Sequence, residues 1–463
     1  MRFPSTGVIC SAFETSWSVA QISCAHLCPN PTYSHRQKHA PSLHKTEFAM
    51  TSISGTSIDT FRREKHVLVT HSHALGMLGV IRSLGRAGYQ VHAASSERAG
   101  ALGFSSRFTH YAAIHPPYES PKFLPWLDTY LESFNISAII PSEGFLHAIT
   151  SRYDRYRHLI PDAAPLEIVR SSMSKIAVQG KLLKRIPDCP HLPAGGIIGP
   201  DSPLPDLDLL SRWPGPFYVK GDAEYSTGER VAHVARCENA QSLLRELVHQ
   251  QSRYSRLLWQ AHAPGRKVGV SLWRHNGEFR AESMVLGIHT APHTGGMMSL
   301  RRTFWHERML ADAKAKMAAL EWPGVAMMEY KWDAETDDFW FIEMNARYWG
   351  YLHLDLYSGK DFPAYQLDAF FGHCVSDLGP AKRAVTCRNS MPGEVSYLLS
   401  LLRDRQVNPI RKLWESLEFT FLFFHPFHKA DLLFPGDSRP YWIEWKRFLD
   451  AILRRPTSRE VAK

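Results

Sequence analysis

Between residues 66 and 160, short apolar runs alternate with stretches of helical period. HVLVT (66–70) is a compact β-branched run and reads as a strand. HALGMLGVIRSLGRAG (73–88) carries its apolar positions at helical spacing, and YQVHAASS (89–96) returns to strand character. Strand, helix, strand in that order predicts a right-handed parallel crossover. FLPWLDTYLESFN (123–135) predicts another helix, ISAIIPSEG (136–144) a buried strand, and FLHAITSRYDRYRHLI (145–160) a further helix. Residues 62–165 therefore read as one α/β unit. Gly76 and Gly79 lie where a dinucleotide-binding turn would be, but the full Gly-x-Gly-x-x-Gly is absent, so both are read as serving close packing of helix on sheet.

The rhythm then changes. A helix is predicted from about Ser174 to Ile186, followed by a connection containing Pro187, Pro190 and Pro193. PFYVKGDAEYSTGERVAHVA (216–235) reads as two strands joined by a polar turn. SRLLWQAHAPGRKVGVSLWRHNGEFRAESMVL (255–286) adds short strands with a turn at 275–277, and LADAKAKMAALEW (310–322) is an amphipathic helix. After about residue 373 the α/β alternation fades. The aromatic stretch 396–434 reads as helices packed on the main body, with an interfacial membrane patch of Phe419, Phe421, Phe423 and Phe424 as the sharper alternative.

The most informative segment is GVAMMEYKWDAETDDFWFIEMNARYWG (324–350), two alternating runs around a turn-rich AETDD centre. It predicts an antiparallel hairpin. Strict alternation puts Ala326, Met328, Tyr330 and Trp332 on the core face with Trp340, Ile342 and Met344. The other face receives Glu329, Lys331, Asp333, Glu343 and Asn345, with Phe339 and Phe341. A turn centred near Thr336 sets Glu329 across from Glu343. Opposed carboxylates repel, and a divalent cation would turn repulsion into coordination, with Glu and Asn oxygens as hard ligands suited to magnesium. A solvated face on which Lys331 neutralises a glutamate is the competing reading. Arg347 continues in phase and could clamp a phosphate or carboxylate.

Composition narrows the function classes. The 463 residues suggest about three domains. With 44% apolar and 21% charged residues, wholesale disorder is excluded. The net charge of +9 suits an anionic ligand, but no basic block exists and nucleic-acid binding is not expected. Seven scattered cysteines, with Cys24 and Cys28 lacking a second pair, read as free thiols in a reducing cytoplasm rather than a zinc site. No apolar run is long enough for a transmembrane helix. The N-terminus loosely resembles a signal peptide interrupted by Glu14, and Met50 offers a second plausible start. Residues 1–61 are accordingly expected to be disordered, or 1–49 not to belong to the natural product.

The hairpin resembles the C-terminal signature of the ATP-grasp superfamily, carried here by Glu343-Met344-Asn345 and its continuation Ala346-Arg347-Tyr348-Trp349-Gly350, with Ala346 in place of proline. It is most similar to the carboxylate–amine ligase branch related to the large subunit of carbamoyl-phosphate synthase. The resemblance spans roughly residues 62–372. It implies a mixed α/β and α+β fold: a Rossmann-like pre-ATP-grasp domain (62–165), a two-part ATP-grasp domain with antiparallel sheets (166–372, lid about 195–260), and a mostly helical C-terminal extension (373–463). Lys175 and Lys220 resemble the family's two nucleotide lysines, compact charges suited to phosphate. Ser226, Thr227 and Gly228 would be phosphate-loop donors. LLWQAHAPG (257–265) resembles the adenine hinge, with backbone groups of Ala261 and Ala263 on the adenine edge and Gln260 beside it. Arg266 and Lys267 stand where a ribose-binding carboxylate is usual. HTAPHTGGMMSLRR (289–302) lies at a substrate-facing position, where Gly295 and Gly296 permit close approach and Arg301 or Arg302 could hold a carboxylate. His289 and His293 lack a third ligand in the sequence and are not read as a metal pair.

The resemblance thus implies a ligase using ATP and Mg2+, with Mn2+ as a substitute. Glu329, Glu343 and Asn345 would hold the metal, and Arg347 and Arg302 would serve catalysis. Its partners would be a small carboxylate and an amine. A non-catalytic ATP-binding scaffold or sensor is the alternative. A biotin-dependent carboxylase subunit ranks lower, because no carrier segment is recognisable.

Overall fold

The parallel crossover predicted at residues 66–96 is present, and it founds the first of three sheets. The computed structural model describes residues 58–453 except 98–101, 201, 228–231, 376, 377, 379, 380, 382 and 426. The expectation for residues 1–57 lies outside the described residues. At its edge there is a correction. Residues 58–63 form a helix, and Arg62 donates to Asp368 from Nε at 3.0 Å, so order begins before the first predicted strand.

The first sheet contains β1 (His66–Val69), β2 (Gln90–Ser95), β3 (Tyr111–Ile114) and β4 (Ile136–Ile140), all parallel in the order β3-β2-β1-β4. Its strands are short and nearly all apolar because helices cover both faces. The chain leaves β1 toward β2 on one side, and β4 lies on the other. A crevice therefore opens at the carboxyl ends of β1 and β4, where ligands bind in such sheets. The Leu75–Ala87 helix follows β1. Gly76 and Gly79 do allow a close approach, but not to this sheet. A Cβ on Gly76 would lie 2.5 Å from the Trp349 carbonyl oxygen, and one on Gly79 3.1 Å from Leu352. The two glycines seat the helix on the chain segment that follows the 324–345 hairpin.

The second sheet is antiparallel, in the order β5-β8-β6-β7, from β5 (Gly195–Ile198), β6 (Phe217–Gly221), β7 (His233–Cys237) and β8 (Leu257–Ala261). Its own core includes Phe217, Val219, Leu243, Leu247 and Trp259.

The third sheet has seven strands: β9 (Arg266–His275), β10 (Glu278–Ala291), β11 (Met297–Phe304), β12 (Gly324–Trp332), β13 (Phe339–Asn345), β14 (Thr386–Arg388) and β15 (His428–Ala430), in the order β13-β12-β9-β10-β11-β14-β15. The β9–β10 hairpin turns through Asn276 at φ 50° and Gly277 at φ 86°, the left-handed pair that a two-residue turn requires. Core side chains lie on both faces of this sheet: Val270, Met328 and Tyr330 on one, Trp273, Val285 and Met327 on the other. Among its described residues the segment from 373 is mostly helical, yet it also supplies β14 and β15. They are three residues each and extend the central sheet. No helix among the described residues is long and apolar enough to cross a membrane.

Candidate functional site

The β12–β13 register pairs Glu329 with Glu343, as the alternation predicts. The pairing then slips. Tyr330 faces Phe341, so Ile342 is an extra residue in β13. This bulge re-phases the strand. Phe339 and Phe341 pack with Tyr330 in the core, whereas Trp340 and Ile342 are only partly buried. The expected assignment of Phe339 and Phe341 to the polar face is therefore corrected: the bulge turns these two rings into the core, while Glu343 and Asn345 keep the face they share with Glu329.

Each carboxylate has its own cation. Lys175 Nζ lies 2.7 Å from Glu343 Oε2, and Lys267 Nζ 2.8 Å from Glu329 Oε1. Asn345 Nδ2 donates to Glu343 Oε1 at 3.2 Å, and its own Oδ1 accepts from Arg347 Nη2 at 3.1 Å. Burial drives the Glu329 carboxyl upward, with Lys267 opposing and the Glu343 charge reinforcing the rise. Burial also works against ionised Glu343, but the Lys175 charge and hydrogen bond, the Asn345 amide and Lys220 outweigh it and hold that carboxyl well below the usual range. Lys175 and Asn345 thus favour the ionised form of Glu343.

Lys175 opens the Lys175–Arg185 helix, which Ser174 caps by accepting from the Ala177 N–H. Asp222, just after β6, accepts from Ser174 Oγ at 2.7 Å and from the Ile176 N–H at 2.8 Å. A carboxylate at a helix N-terminus is favoured by the exposed N–H groups and the helix dipole. It also fastens the end of β6 to that helix and so brings Lys220 to the same side as Lys175. Lys220 is buried and donates to Gln260 Oε1 at 2.7 Å, while Gln260 Nε2 donates to Gln179 at 3.0 Å. Burial, assisted by the Lys175 charge, pulls the Lys220 ammonium down to about 8.

The remaining predicted positions divide. Thr227 already donates, through its N–H to Arg253 O at 2.8 Å and through Oγ1 to Ser252 O at 3.0 Å. Ser226 forms a bridge with Tyr254, and Gly228 lies outside the described residues. Ala261 and Ala263 are buried, and the Ala261 N–H donates to Ala194 O at 2.7 Å. That N–H is thus taken by the sheet edge, against the expectation that it faces a ligand. Arg302 is exposed on β11 and does not line the cavity described below. Its neighbour Arg301 points the opposite way, fully buried against Asp431. Strand alternation separates the two arginines, and neither meets the acidic pair. His289 and His293 bond to Glu394 at 3.1 Å and Asp404 at 3.0 Å, tying β10 and the turn after it to the C-terminal segment.

A cavity of about 700 Å³ opens against the acidic pair. Glu329, Glu343, Asn345, Lys267 and Arg347 line one side, and the segments that follow β1 and β4 contribute His71, Ser142 and, from the Glu143–Ile149 helix, Glu143 and His147. Gly296, Met297 and Met298 from the β10–β11 turn lie along it too. Arg347 Nε lies 3.6 Å from Glu143 Oε2 across the opening. A second pocket of about 280 Å³ continues past Arg347 to Lys175 and Ser172. His71 sits at φ 56°, and burial together with His73 and Arg347 holds its imidazole neutral down to about 4.

The sequence pattern does not single out Asp222, Gln179, His71 or Glu143, and the resemblance sets Lys267 beside the nucleotide ribose rather than against Glu329. Lys267 reaches Glu329 only because β9 pairs with β12, Gly269 lying opposite Glu329. Three oxygen-bearing side chains, two of them carboxylates brought together by register, are a fitting donor set for a hard divalent cation.

No protein-family model and no curated protein matches this chain. Solved structures do. N5-carboxyaminoimidazole ribonucleotide synthetase, determined as an ADP complex, is 10% identical with a TM-score of 0.55, covering 78% of this chain and 97% of that one. N5-carboxyaminoimidazole synthetase from Staphylococcus aureus is 13% identical with a TM-score of 0.51, covering 73% and 84%. L-amino acid ligase from Bacillus licheniformis is 13% identical with a TM-score of 0.49, covering 66% and 74%.

Proposed function

We propose, on the premise that this chain carries the ATP-grasp fold of the synthetases it matches, that it is an ATP- and Mg2+-dependent ligase joining a carboxylate to an amine. The observation that carries the proposal is the Glu329–Glu343 pair with Asn345, set in the wall of a cavity also lined by the segments that follow β1 and β4. Glu329, Glu343 and Asn345 would hold the metal, whose charge would offset that of the phosphates during phosphoryl transfer.

The protein's own side chains supply the rest. Lys175 and Lys220 hold the phosphates as point charges, and Gln260, which accepts from Lys220, and Ala263 would stand beside the adenine. Arg347, fixed through Asn345 and the Tyr348 carbonyl, orients the substrate carboxylate. That carboxylate takes the γ-phosphoryl group to become an acyl phosphate, with ADP leaving. The amine then attacks the acyl carbon, phosphate departs and an amide forms. Water must be kept from the acyl phosphate, and a crevice walled by two sheets serves that end.

One observation favours the scaffold reading. Lys267 already neutralises Glu329, which lowers the need for a metal there. A screen of amino acids and dipeptides for phosphate release with ATP and Mg2+ separates the readings. Substrate-dependent release is expected of the ligase, and ADP binding with no release from any compound indicates the scaffold.

Lys220 gives a pH prediction. Only its ammonium attracts phosphate, and in the free protein that proton is lost as pH rises through about 8. Affinity for ATP is therefore greatest below pH 8 and falls above it, approaching tenfold per pH unit for one required proton. Titration calorimetry across this range checks it, and Lys220→Met should bind more weakly and flatten the profile.

A further inference from the structure

The Pro409–Phe424 helix turns its apolar face outward. Ile410, Leu413, Trp414, Leu417, Phe421 and Phe424 are each more than half exposed, Phe424 at 80%. At 3.6 residues per turn these six fall within an arc of roughly 100°, the width of a stripe that normally meets a protein core. The inward face is a different set. Leu422 is buried, and the Arg388 guanidinium sits 4.4 Å from the Phe423 ring centroid and 5.7 Å from that of Phe419. Phe419 and Phe423 thus help to dock the helix, whereas Phe421 and Phe424 do not. Phe427 at 78% and Trp442 at 63% exposed extend the apolar surface beyond the helix.

Charge indicates what covers the stripe. Among the described residues from 395 to 450, Arg403, Arg405, Arg411, Lys429, Arg439 and Lys446 are exposed, against one exposed acid, Glu418. The other acids of this segment are buried or half-buried, Asp404 paired with His293 and Glu415 with Arg411. Asp431 and Asp437 are fully buried against Arg301 and Arg82, and Glu444 pairs with Arg447. A symmetric contact between two copies would set these cations against one another. An aromatic stripe bordered by an excess of exposed cations, of which Arg411 pairs with an acid, Glu415, instead matches an anionic lipid surface, where the apolar face enters the acyl boundary and the cations meet headgroups.

We propose that the Pro409–Phe424 face docks on an anionic membrane surface, as a peripheral contact through side chains of this one helix and its neighbours. β14 and β15 join the surrounding segment to the central sheet, so docking would fix the catalytic cavity relative to the bilayer.

The test is cosedimentation of the full chain with phosphatidylcholine vesicles, with and without phosphatidylglycerol. Binding to the anionic vesicles is expected, weakened by salt, with a blue shift of tryptophan emission. Trp414→Glu combined with Phe421→Glu should lower the partition at least about tenfold, and Arg403→Glu with Arg405→Glu should abolish the preference for anionic lipid. All four positions are exposed, and an unchanged circular dichroism spectrum and melting midpoint establish that the variants fold. Failure of the native chain to bind anionic vesicles overturns the proposal. So does equal binding by the Trp414/Phe421 variant, or self-association of the native chain without lipid that the same variant removes.

Discussion

Replacing Glu343 with glutamine is expected to lower substrate-dependent ATP turnover by at least about 100-fold, the scale seen when a group that stabilises developing charge is removed. The substitution keeps the shape of the side chain and removes one charge and one hard ligand oxygen. Its target is the carboxylate whose ionised form Lys175 and Asn345 favour against burial. Nucleotide affinity without metal should change only a few-fold, because Lys175 and Lys220 remain. Stability should change little, because Lys175 is 42% exposed in its pair with Glu343 and such pairs contribute about 1 kcal/mol or less. Steady-state turnover, calorimetric ADP binding without Mg2+ and a melting curve read the three quantities separately. A variant that still turns over ATP at the native rate would remove the Glu329–Glu343 pair from the mechanism.

The opposition of these two glutamates was legible because side chains alternate strictly and the AETDD turn limits the possible registers. The bulge at Ile342 was not legible. An inserted residue leaves no mark on composition and reverses the phase of everything on one side of it, so Phe339 and Phe341 were expected on the wrong face. β14 and β15 escaped notice for another reason. Three residues are too few to show a period; β14 forms because β11 offers an edge, and β15 adds to β14. Lys267 is a third case. Along the chain it belongs to the segment after the hinge and invited comparison with a ribose-binding carboxylate. Its actual partner, Glu329, comes from β12, and only the pairing of β9 with β12 brings the two together. Local pattern reports faces and turns. It does not report which distant strand becomes a neighbour.

The C-terminal segment illustrates that limit at larger scale and gives the strongest stability prediction. The loss of α/β rhythm after residue 373 reads as helices packed on the main body, and Arg82 in the Leu75–Ala87 helix shows what fastens the segment there. Fully buried, it donates from Nε to Asp437 Oδ2 at 2.8 Å, from Nη2 to the carbonyls of Leu432 and Asp437 at 2.9 and 2.8 Å, and from Nη1 to Asp431 O. Asp437 also accepts from Ser106 Oγ at 2.7 Å and the Arg107 N–H at 2.9 Å. The charges are paired and their hydrogen bonds largely satisfied, so the burial is tolerable. Removing one partner strands the other in a site closed to water. Asp437→Ala should therefore cost about 3–5 kcal/mol, whereas Arg86→Ala, four residues on and paired with Asp361 at a half-exposed position, should cost about 1 kcal/mol or less. Chemical denaturation of both variants measures the contrast. Arg82→Met made in the Asp437→Ala background should cost less than in the native chain, because the charge it removes is already unpaired there. Equal cost in the two backgrounds would mean that the buried pair does not join the first sheet's helix to the end of the chain.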